Sequence, residues 1–506
     1  MRKYLVLLGA AVLALATASP SMAQFSSWGH LEVMSYYSKD MDTFGIDSLA
    51  ATRKVTRTSD IRQGVAERFR WFFQYGDPKT VRAVIGFEAD SSNYGEPGTT
   101  GAVGVPGSTS AAYNATAWGQ SMANKNHMGA YGTDQVALEI KWGFLDFVIP
   151  NTPISIMAGL QNFTIGGNIG RFWQNNDAPG IVVSGNFAPH TVQAFWWKFN
   201  KQDVFTDNDN DMYGLRYLLK QKFINVEAWV AYQNDRRSKV EAWSMPATTT
   251  TDPVTGVVTT NCGLRQTLTP RPYEVQPWWV GLNVPIRVGN WTFDPIVIYN
   301  FGKARKYRDD SGDDIKFDAW LADLAITYRL GPGLAFTVEG YYSTGHDADK
   351  ANKENKYQFG GYGGDVITIF GGGKSVFFFS NNDLGYYNYK NQEIAGLWYG
   401  RANVEYSPFS WLTFGFNYFY FGDNSKGTPG TGRIVNTPTG ARQDQDKDKI
   451  GQEANVIATF NIYKNFRYQI GFGYFFPGDV YDQVIAGKSQ SADNAWNLLT
   501  NLRYAF

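Results

Sequence analysis

The feature that most constrains this chain is an alternation of apolar and polar side chains that recurs from residue 25 to the last residue. In FRYQIGFGYFF, residues 466–476, the side chains of Phe466, Tyr468 and Ile470 fall on one face and those of Arg467 and Gln469 on the other. Successive side chains of a β-strand point to opposite faces of the sheet. The alternation therefore predicts strands that each have one apolar and one polar face.

We count about 18 segments with this alternation, and 16 strands are also possible. They lie near residues 25–37, 61–76, 81–90, 135–149, 153–162, 178–188, 190–200, 210–220, 223–233, 276–287, 291–302, 315–329, 334–344, 393–407, 411–422, 450–463, 466–476 and 493–506. Short links such as GDPKT, PNTP and LGPG alternate along the chain with longer links rich in Gly, Asn, Asp, Ser and Thr. This order is typical of an up-and-down barrel with turns at one end and loops at the other.

The hydropathy of the chain is compatible with a barrel that spans a membrane. The mean hydropathy is −0.33, a value that ordinarily indicates a soluble protein. A transmembrane barrel strand, however, needs only about 10 residues with every second side chain apolar. The predicted fold class is therefore all-β, a transmembrane antiparallel up-and-down β-barrel with short periplasmic turns and long external loops.

The N-terminus has the pattern of a secretory signal peptide. Arg2 and Lys3 precede an apolar run from Leu5 to Ala16, and residues 21–23, Ser-Met-Ala, fit a cleavage site for export. The run is shorter than the roughly 20 residues that a membrane-spanning helix needs. We expect residues 1–23 to be removed and residues 24–506 to form one barrel domain.

Charge and chemistry exclude several classes of function. Lys plus Arg and Asp plus Glu number 46 each, so nothing suggests nucleic acid as a partner. The single cysteine, Cys262, leaves no internal disulfide, and the four histidines have neither metal-ligand spacing nor a serine and carboxylate pattern around them. We expect no enzyme activity, no cofactor and no metal site.

The end of the chain carries a resemblance to a known family. The tail NAWNLLTNLRYAF alternates strictly up to Phe506, and in this it resembles the terminal strand of bacterial outer-membrane porins. The resemblance implies that this strand closes the barrel against the first and that Tyr504 and Phe506 are the signal read by the barrel-assembly machinery. LEIKWGFLDFVIPNTPISIMAGLQNFTIGG is similar to a strand, turn and strand of homotrimeric porins from sulfate-reducing bacteria, which implies a homotrimer in the lipid of the outer membrane.

A channel function follows from the resemblance and from the expected barrel size, because barrels of about 18 strands enclose water. The first hypothesis is a porin for passive diffusion of small hydrophilic solutes and ions. The second is a solute-selective channel for sugars or organic anions, which an inward ladder of aromatic residues would favour. The third is a structural or adhesive surface barrel with a blocked lumen, which loops filling the interior would favour.

The polar face of each predicted strand supplies candidate pore-lining residues. Opposed basic and acidic groups across a pore produce a transverse field that favours polar solutes. The alternative interpretation is that these charges pair across strands and support the wall. The candidates are Glu32, Arg68, Arg70, Arg82, Glu88, Arg216, Glu227, Asp323, Glu339, Arg401, Glu405, Arg467 and Arg503.

The third long link, FTIGGNIGRFWQNNDAP, is the candidate constriction loop, since porins that resemble this chain fold their third external loop inward. Its glycines permit a tight re-entrant path, and Arg171, Asn175, Asn176 and Asp177 are expected to face the wall. At about 15 residues the loop is short for this role, so segments 91–134 and 345–392 remain alternatives. Segment 364–379, GDVITIFGGGKSVFFF, is too apolar for a solvated loop and is expected inside the lumen or against a trimer neighbour.

Overall fold

The sheet predicted from the alternation closes on itself in the computed structural model of this chain. The structure describes residues 25–39, 61–90, 138–167, 172–201, 209–236, 248–251, 258–261, 274–305, 314–345, 347, 350, 352–358, 375–376, 396–424, 448–478, 483–485, 488–490 and 493–506. All regular elements within these residues are strands. None of the described segments forms a helix that is long and apolar enough to cross a membrane.

Eighteen antiparallel strands form the barrel, which confirms the predicted fold class and settles the strand number. They are β1 (Phe25–Lys39), β2 (Ile61–Asp77), β3 (Val81–Asp90), β4 (Glu139–Val148), β5 (Ile154–Ile165), β6 (Gln174–Phe187), β7 (His190–Lys201), β8 (Asp209–Lys220), β9 (Asn225–Asp235), β10 (Glu274–Asn283, continued by Ile286–Val288), β11 (Trp291–Arg305), β12 (Ile315–Leu330), β13 (Leu334–Ser343), β14 (Leu397–Phe409), β15 (Leu412–Asp423), β16 (Lys449–Tyr463), β17 (Phe466–Pro477) and β18 (Ala495–Ala505). Thr248–Thr251 pairs with Val258–Asn261, Gln483–Ile485 pairs with Lys488–Gln490, and Lys353–Glu354 lies parallel to the start of β12.

The barrel closes where β18 pairs with β1, as the sequence predicts. The register places Arg503 opposite Glu32 and Trp496 opposite Lys39. Short connections and both ends of the barrel chain, Phe25 and Phe506, lie together at what we call the turn end. The long connections all leave from the opposite end, the loop end.

The turns that join neighbouring strands have the chemistry that their backbone requires. Asn151, in the β4–β5 turn PNTP, has a φ of 61°, and Gly331, in the β12–β13 turn LGPG, has a φ of 69°. Asn and Gly are the residues that adopt this left-handed conformation most readily. These turns fix the register of the hairpins.

The outer face of the barrel is an apolar band between two aromatic rings. Leu215, Val297 and Val338 are exposed in its middle. The turn-end ring includes Phe187, Trp291, Tyr406, Phe409, Trp411, Tyr504 and Phe506, and the loop-end ring includes Tyr37, Tyr213, Trp278, Tyr299, Trp320, Tyr342 and Phe476. Such a band with aromatic girdles is the surface of a barrel that spans a membrane.

Candidate channel and constriction

The polar face of the barrel strands points towards the inside of the barrel. On β13, for example, Phe336 and Val338 are exposed on the outer face, whereas Ala335 and Glu339, which point the other way, are buried. The side chains proposed from the alternation to line a pore all occupy this inner face: Glu32, Arg68, Arg70, Arg82, Glu88, Arg216, Glu227, Asp323, Glu339, Arg401, Glu405, Arg467 and Arg503. Their contacts differ between the two sides of the barrel.

Glu88 on β3 is the centre of a cationic cluster on the inner face of β2–β4. Arg70 donates two hydrogen bonds to its carboxylate, at 2.9 and 3.0 Å, and the Nε atom of Arg68 lies 3.4 Å from Oε1. The ammonium group of Lys141 also contacts Glu88, and it lies 2.8 Å from Asp177. Three cations therefore converge on one carboxylate. We call the inner face that carries this cluster the basic wall.

Two further groups of charges extend the basic wall towards the turn end. Arg82 forms an ion pair of 2.9 Å with Asp146 and donates a hydrogen bond to Gln74. At the seam of the barrel, Arg467 and Arg503 lie opposite each other in the β17–β18 ladder.

The two seam arginines share little negative charge. Arg503 lies 3.5 Å from Glu32, and the buried Nε atom of Arg467 has no hydrogen-bond partner among the described residues. Like charges directly opposite in a sheet are unfavourable. A surplus of positive charge therefore faces the lumen here as well.

The opposite side of the barrel has its arginines paired one to one. Arg216 on β8 lies 2.5 Å from Glu227 on β9. Arg401 on β14 contacts Glu339 on β13, which also accepts a 2.7 Å hydrogen bond from Tyr399. Asp323 adds a buried carboxylate on β12, and Glu405 on β14 shares the inner face, so the acidic side chains named on this side outnumber its two arginines.

The β5–β6 hairpin leaves the barrel wall and enters the lumen. β4 pairs with β5 only up to Leu160, and β7 pairs with β6 only from Gly180. Between these points the two strands continue to pair with each other alone, from Gln161 with Ala178 to Ile165 with Gln174. We call residues 161–179 the inner hairpin. It contains the link that the sequence singles out as the constriction loop.

The apolar face of the inner hairpin packs on the inner face of β7, β9 and β10. Phe163 lies against Trp197, with ring centroids 4.1 Å apart. Trp173 is fully buried and lies 5.8 Å from Trp229 and 5.7 Å from Trp279. Burial of rings of this size supplies a large part of the energy that holds the hairpin in place.

The tip of the inner hairpin reaches the far side of the lumen. Phe172 stacks on Tyr341 of β13 at 6.0 Å, and the backbone N–H of Gly167 donates to Glu227. Tyr357, from the connection after β13, donates its hydroxyl to the carbonyl of Phe172 at 3.1 Å. Complete burial raises the pKa of Tyr357 well above its usual value, so the hydroxyl stays a donor.

The other face of the inner hairpin is polar and turned to the basic wall. Asn162 is exposed and donates to Asn175, as does the hydroxyl of Thr164. Asp177 accepts a 2.8 Å hydrogen bond from the indole of Trp142 and pairs with Lys141. The polar face of the hairpin therefore meets the cations around Glu88 through the Lys141–Asp177 ion pair. We call the hydrophilic part of the lumen beside this ion pair, where Asn162 is exposed and Asp177, Lys141 and Arg70 are partly exposed, the hydrophilic gap.

The structure describes three of the four predicted constriction residues. Asn175 and Asp177 lie on the polar face, whereas Asn176 is opposite Phe163 in the hairpin register. Arg171 lies outside the described residues. Lys141, Asn162, Thr164 and Trp142 complete the gap and were not among the sequence candidates.

Part of the apolar segment 364–379 also lies in the lumen. Ser375 and Val376 are fully buried, and both donate to the carboxylate of Glu453 on β16. Asn497 on β18 donates to the carbonyl of Val376 at 2.7 Å. The expected interior packing therefore holds for these two residues; the rest of the segment, and the alternative segment 91–134, lie outside the described residues.

An inward aromatic ladder is present but is covered. Tyr341, Tyr399, Phe419 and Phe421 follow one another across β13–β15, with Tyr341 and Tyr399 stacked at 5.0 Å. All four are buried, and Phe172 stacks on the first of them. This ladder anchors the tip of the inner hairpin rather than facing a passing solute.

Comparison with known proteins gives a distant structural likeness. No family model matches the sequence, and no curated protein matches it at a significant level. The chain is similar to the solved outer membrane protein OpdK of Pseudomonas aeruginosa, at 9% identity over 95% of this chain and 99% of that one, with a TM-score of 0.48. OpdL and OccK8 (OprE) of the same organism match at 9% and 10% identity, over 96% of this chain and 99% and 98% of theirs, with TM-scores of 0.48 and 0.47.

Proposed function

We propose that this chain is an outer-membrane porin that forms a water-filled channel for passive diffusion of small hydrophilic solutes and ions. The observation that carries the proposal is the hydrophilic gap between the inner hairpin and the basic wall. Asn162 and Asp177 border it on one side and Arg70 and Lys141 on the other, and water reaches all four. An 18-stranded barrel is wide enough to hold a packed hairpin and still leave an aqueous path.

The charge around the gap supports a preference for anions. Glu88 is shared by Arg68, Arg70 and Lys141, so the positive charge near it exceeds what it neutralises. In a low-dielectric wall such a surplus raises the local concentration of the opposite ion. Inward cations are also what anion-selective pores of other kinds use.

A second candidate function, a channel selective for organic anions, is favoured by an aromatic row on the basic wall. Trp28 stacks on Phe72 at 5.5 Å, and Phe72 lies 4.3 Å from Trp142. Arg82 lies over the ring of Phe144, next in the row. Aromatic faces beside guanidinium groups suit a solute that has both an apolar ring and a carboxylate.

The proposal also covers the export, the orientation and the assembly of the channel. Residues 1–23, which lie outside the described residues, act as a cleaved signal peptide; the turn end faces the periplasm and the loop end the exterior. Tyr504 and Phe506 act as the signal for the barrel-assembly machinery, and the protein works without catalysis, most simply as a homotrimer. A structural barrel with a blocked lumen is the competing interpretation, because the inner hairpin and Val376 fill part of the interior.

Single-channel recording of the purified protein in planar bilayers tests these candidates. We expect steady conductance that rises with salt and a reversal potential of the sign for anion preference. Saturation of the current by an aromatic carboxylate, but not by chloride, would favour the second candidate. A protein that inserts and stays silent would contradict both channel functions.

A further inference from the structure

Three lysines form a row on the outer face of the barrel at its loop end. Lys303 of β11 is opposite Lys316 of β12, and Lys316 is opposite Lys353 of the parallel two-residue strand. Lys303 and Lys316 share the outward face with Tyr299 and Trp320. Contact of Lys353 with Asp318, which also lies on this face, places its ammonium group outside as well.

The positive charge of this row is only partly neutralised. Lys303 lies 3.3 Å from Asp314, and Lys353 pairs with Asp318. Lys316 is exposed and has no acidic partner within the described residues. Like charges directly opposite each other in a sheet are unfavourable, so an external anion beside Lys316 would stabilise the row.

An apolar groove of about 660 Å³ lies on the outer face below the lysine row. Trp320, Leu324, Tyr342 and Trp398 form its outward walls, and Gly340 forms its floor. A side chain at Gly340 would meet no atom within 4 Å. The groove is therefore open to the membrane interior.

The spacing between row and groove fits one amphiphilic molecule. Lys316 and Trp320 are four residues apart on β12, which is about 13 Å along a strand. Trp320 and Tyr342, which line the groove, belong to the loop-end aromatic ring, and this ring marks the height where lipid headgroups meet acyl chains. Phosphate groups held by ammonium groups, with an acyl chain in the groove, satisfy both parts of the surface.

We propose that the lysine row and the groove bind a multiply acylated lipid with a phosphorylated headgroup from the leaflet at the loop end. The site lies outside the lumen and is independent of whether the barrel conducts. Its ligand is recognised jointly by charge and by acyl chain. A second copy of this chain seated in the groove is the competing occupant.

Native mass spectrometry of the full chain in a non-ionic detergent tests the proposal. The probes are a bisphosphorylated, multiply acylated glucosamine disaccharide, the same lipid without phosphates, and inorganic pyrophosphate. We expect retention of the phosphorylated lipid only. In Lys303→Gln/Lys316→Gln/Lys353→Gln, its apparent affinity should fall about tenfold, whereas Lys79→Gln/Lys222→Gln/Lys464→Gln at the turn end should leave it unchanged.

A second pair of variants tests the groove. Gly340→Val with Gly400→Val fills it without a clash, since neither glycine has a neighbour within 4 Å of an added Cβ. We expect loss of lipid retention, and no loss in Gly143→Val, which adds one valine side chain to the outer face of β4 in ordinary contact with Ile140. Equal binding of the dephosphorylated lipid, or binding of pyrophosphate alone, would overturn the proposal. So would a change of oligomer mass in the groove variant with lipid binding intact.

Discussion

At the scale of single residues, the uneven sharing of Glu88 determines the charge of the barrel wall beside the inner hairpin. A buried carboxylate with one arginine would be a structural pair. Here Arg68, Arg70 and Lys141 all contact it. Asp177 on the inner hairpin forms a second ion pair with Lys141 and so partly neutralises that lysine. The cluster therefore supports the wall and leaves positive charge beside the gap. These contacts are those of the pairing interpretation of the wall charges, and the pore-lining interpretation stays a prediction.

Removal of the two arginines tests this surplus. In Arg68→Ala/Arg70→Ala, Glu88 retains Lys141 alone, so the permeability ratio of anions to cations should fall severalfold. The reversal potential in a salt gradient measures it, and the effect should weaken at high salt because screening lengths fall from about 10 Å at 0.1 M to about 3 Å at 1 M.

Trp71→Leu is the matched control, since Trp71 lies beside Arg70 but faces outward. It should lower stability and leave the reversal potential unchanged. An unchanged potential in the double arginine variant would mean that these side chains do not face the ion path.

At the scale of elements, the inner hairpin is a separate unit docked inside a complete barrel. Its backbone pairs with neither β4 nor β7, so it is held by side-chain packing and by single hydrogen bonds such as those of Gly167 with Glu227 and of Phe172 with Tyr357. Trp173 contributes most, because it is fully buried between Trp229 and Trp279. Loss of this ring should undock the hairpin without opening the sheet.

We therefore expect Trp173→Ala to give a larger and noisier single-channel current. The cost of about 3–5 kcal/mol for such a deletion should fall on the docking of the hairpin, so the unfolding temperature of the barrel should change little. Trp278→Ala removes the same ring from the adjacent outward position on β10 and should leave the current unchanged. A current in Trp173→Ala identical to that of the unmodified protein would contradict the role of the hairpin as the constriction.

The barrel strands were predictable because each has to meet lipid on one side and water on the other. That rule holds where the strands lie in the barrel wall, and the charged candidates that it selected lie on the inner face. It fails where a strand leaves the membrane wall. β5 was expected to end near residue 162 and β6 to begin near 178, yet they extend to Ile165 and from Gln174, because the two strands continue to pair with each other after they leave the wall.

A signal for this departure was present in the sequence. The apolar positions of β5 change phase between Leu160, which follows the outward parity, and Phe163 and Ile165, which are buried inside. A second change in the phase of the alternation, on β4, explains why Lys141 was not among the predicted wall residues. A register shift between β3 and β4 lets both Ile140 and Leu145 face outward, so simple alternation cannot assign the lysine between them.

At the scale of the whole molecule, one seam converts a sheet into a barrel. Gly29 of β1 and Phe506 exchange two backbone hydrogen bonds, at 2.9 and 3.0 Å. The ring of Phe506 lies over Gly29, within about 6 Å of the rings of Phe69 and Trp71. This is why the chain keeps its alternation to the last residue: an unpaired edge in a bilayer is costly.

Phe506→Ser should therefore impair closure and leave conduction intact. The substitution removes the ring that contacts Phe69 and Trp71 and fixes the end of β18. Position 506 faces away from the lumen, so the pore itself should not change. We expect a smaller fraction of protein that shows strand circular dichroism in detergent and heat-dependent migration on gels, with unchanged conductance for each channel that does assemble. Phe187→Ser is the control, because Phe187 lies in the same turn-end ring at a turn between adjacent strands. If both variants assembled equally well, the aromatic ring at the end of the chain would act only as a lipid contact and not as the closure of the barrel.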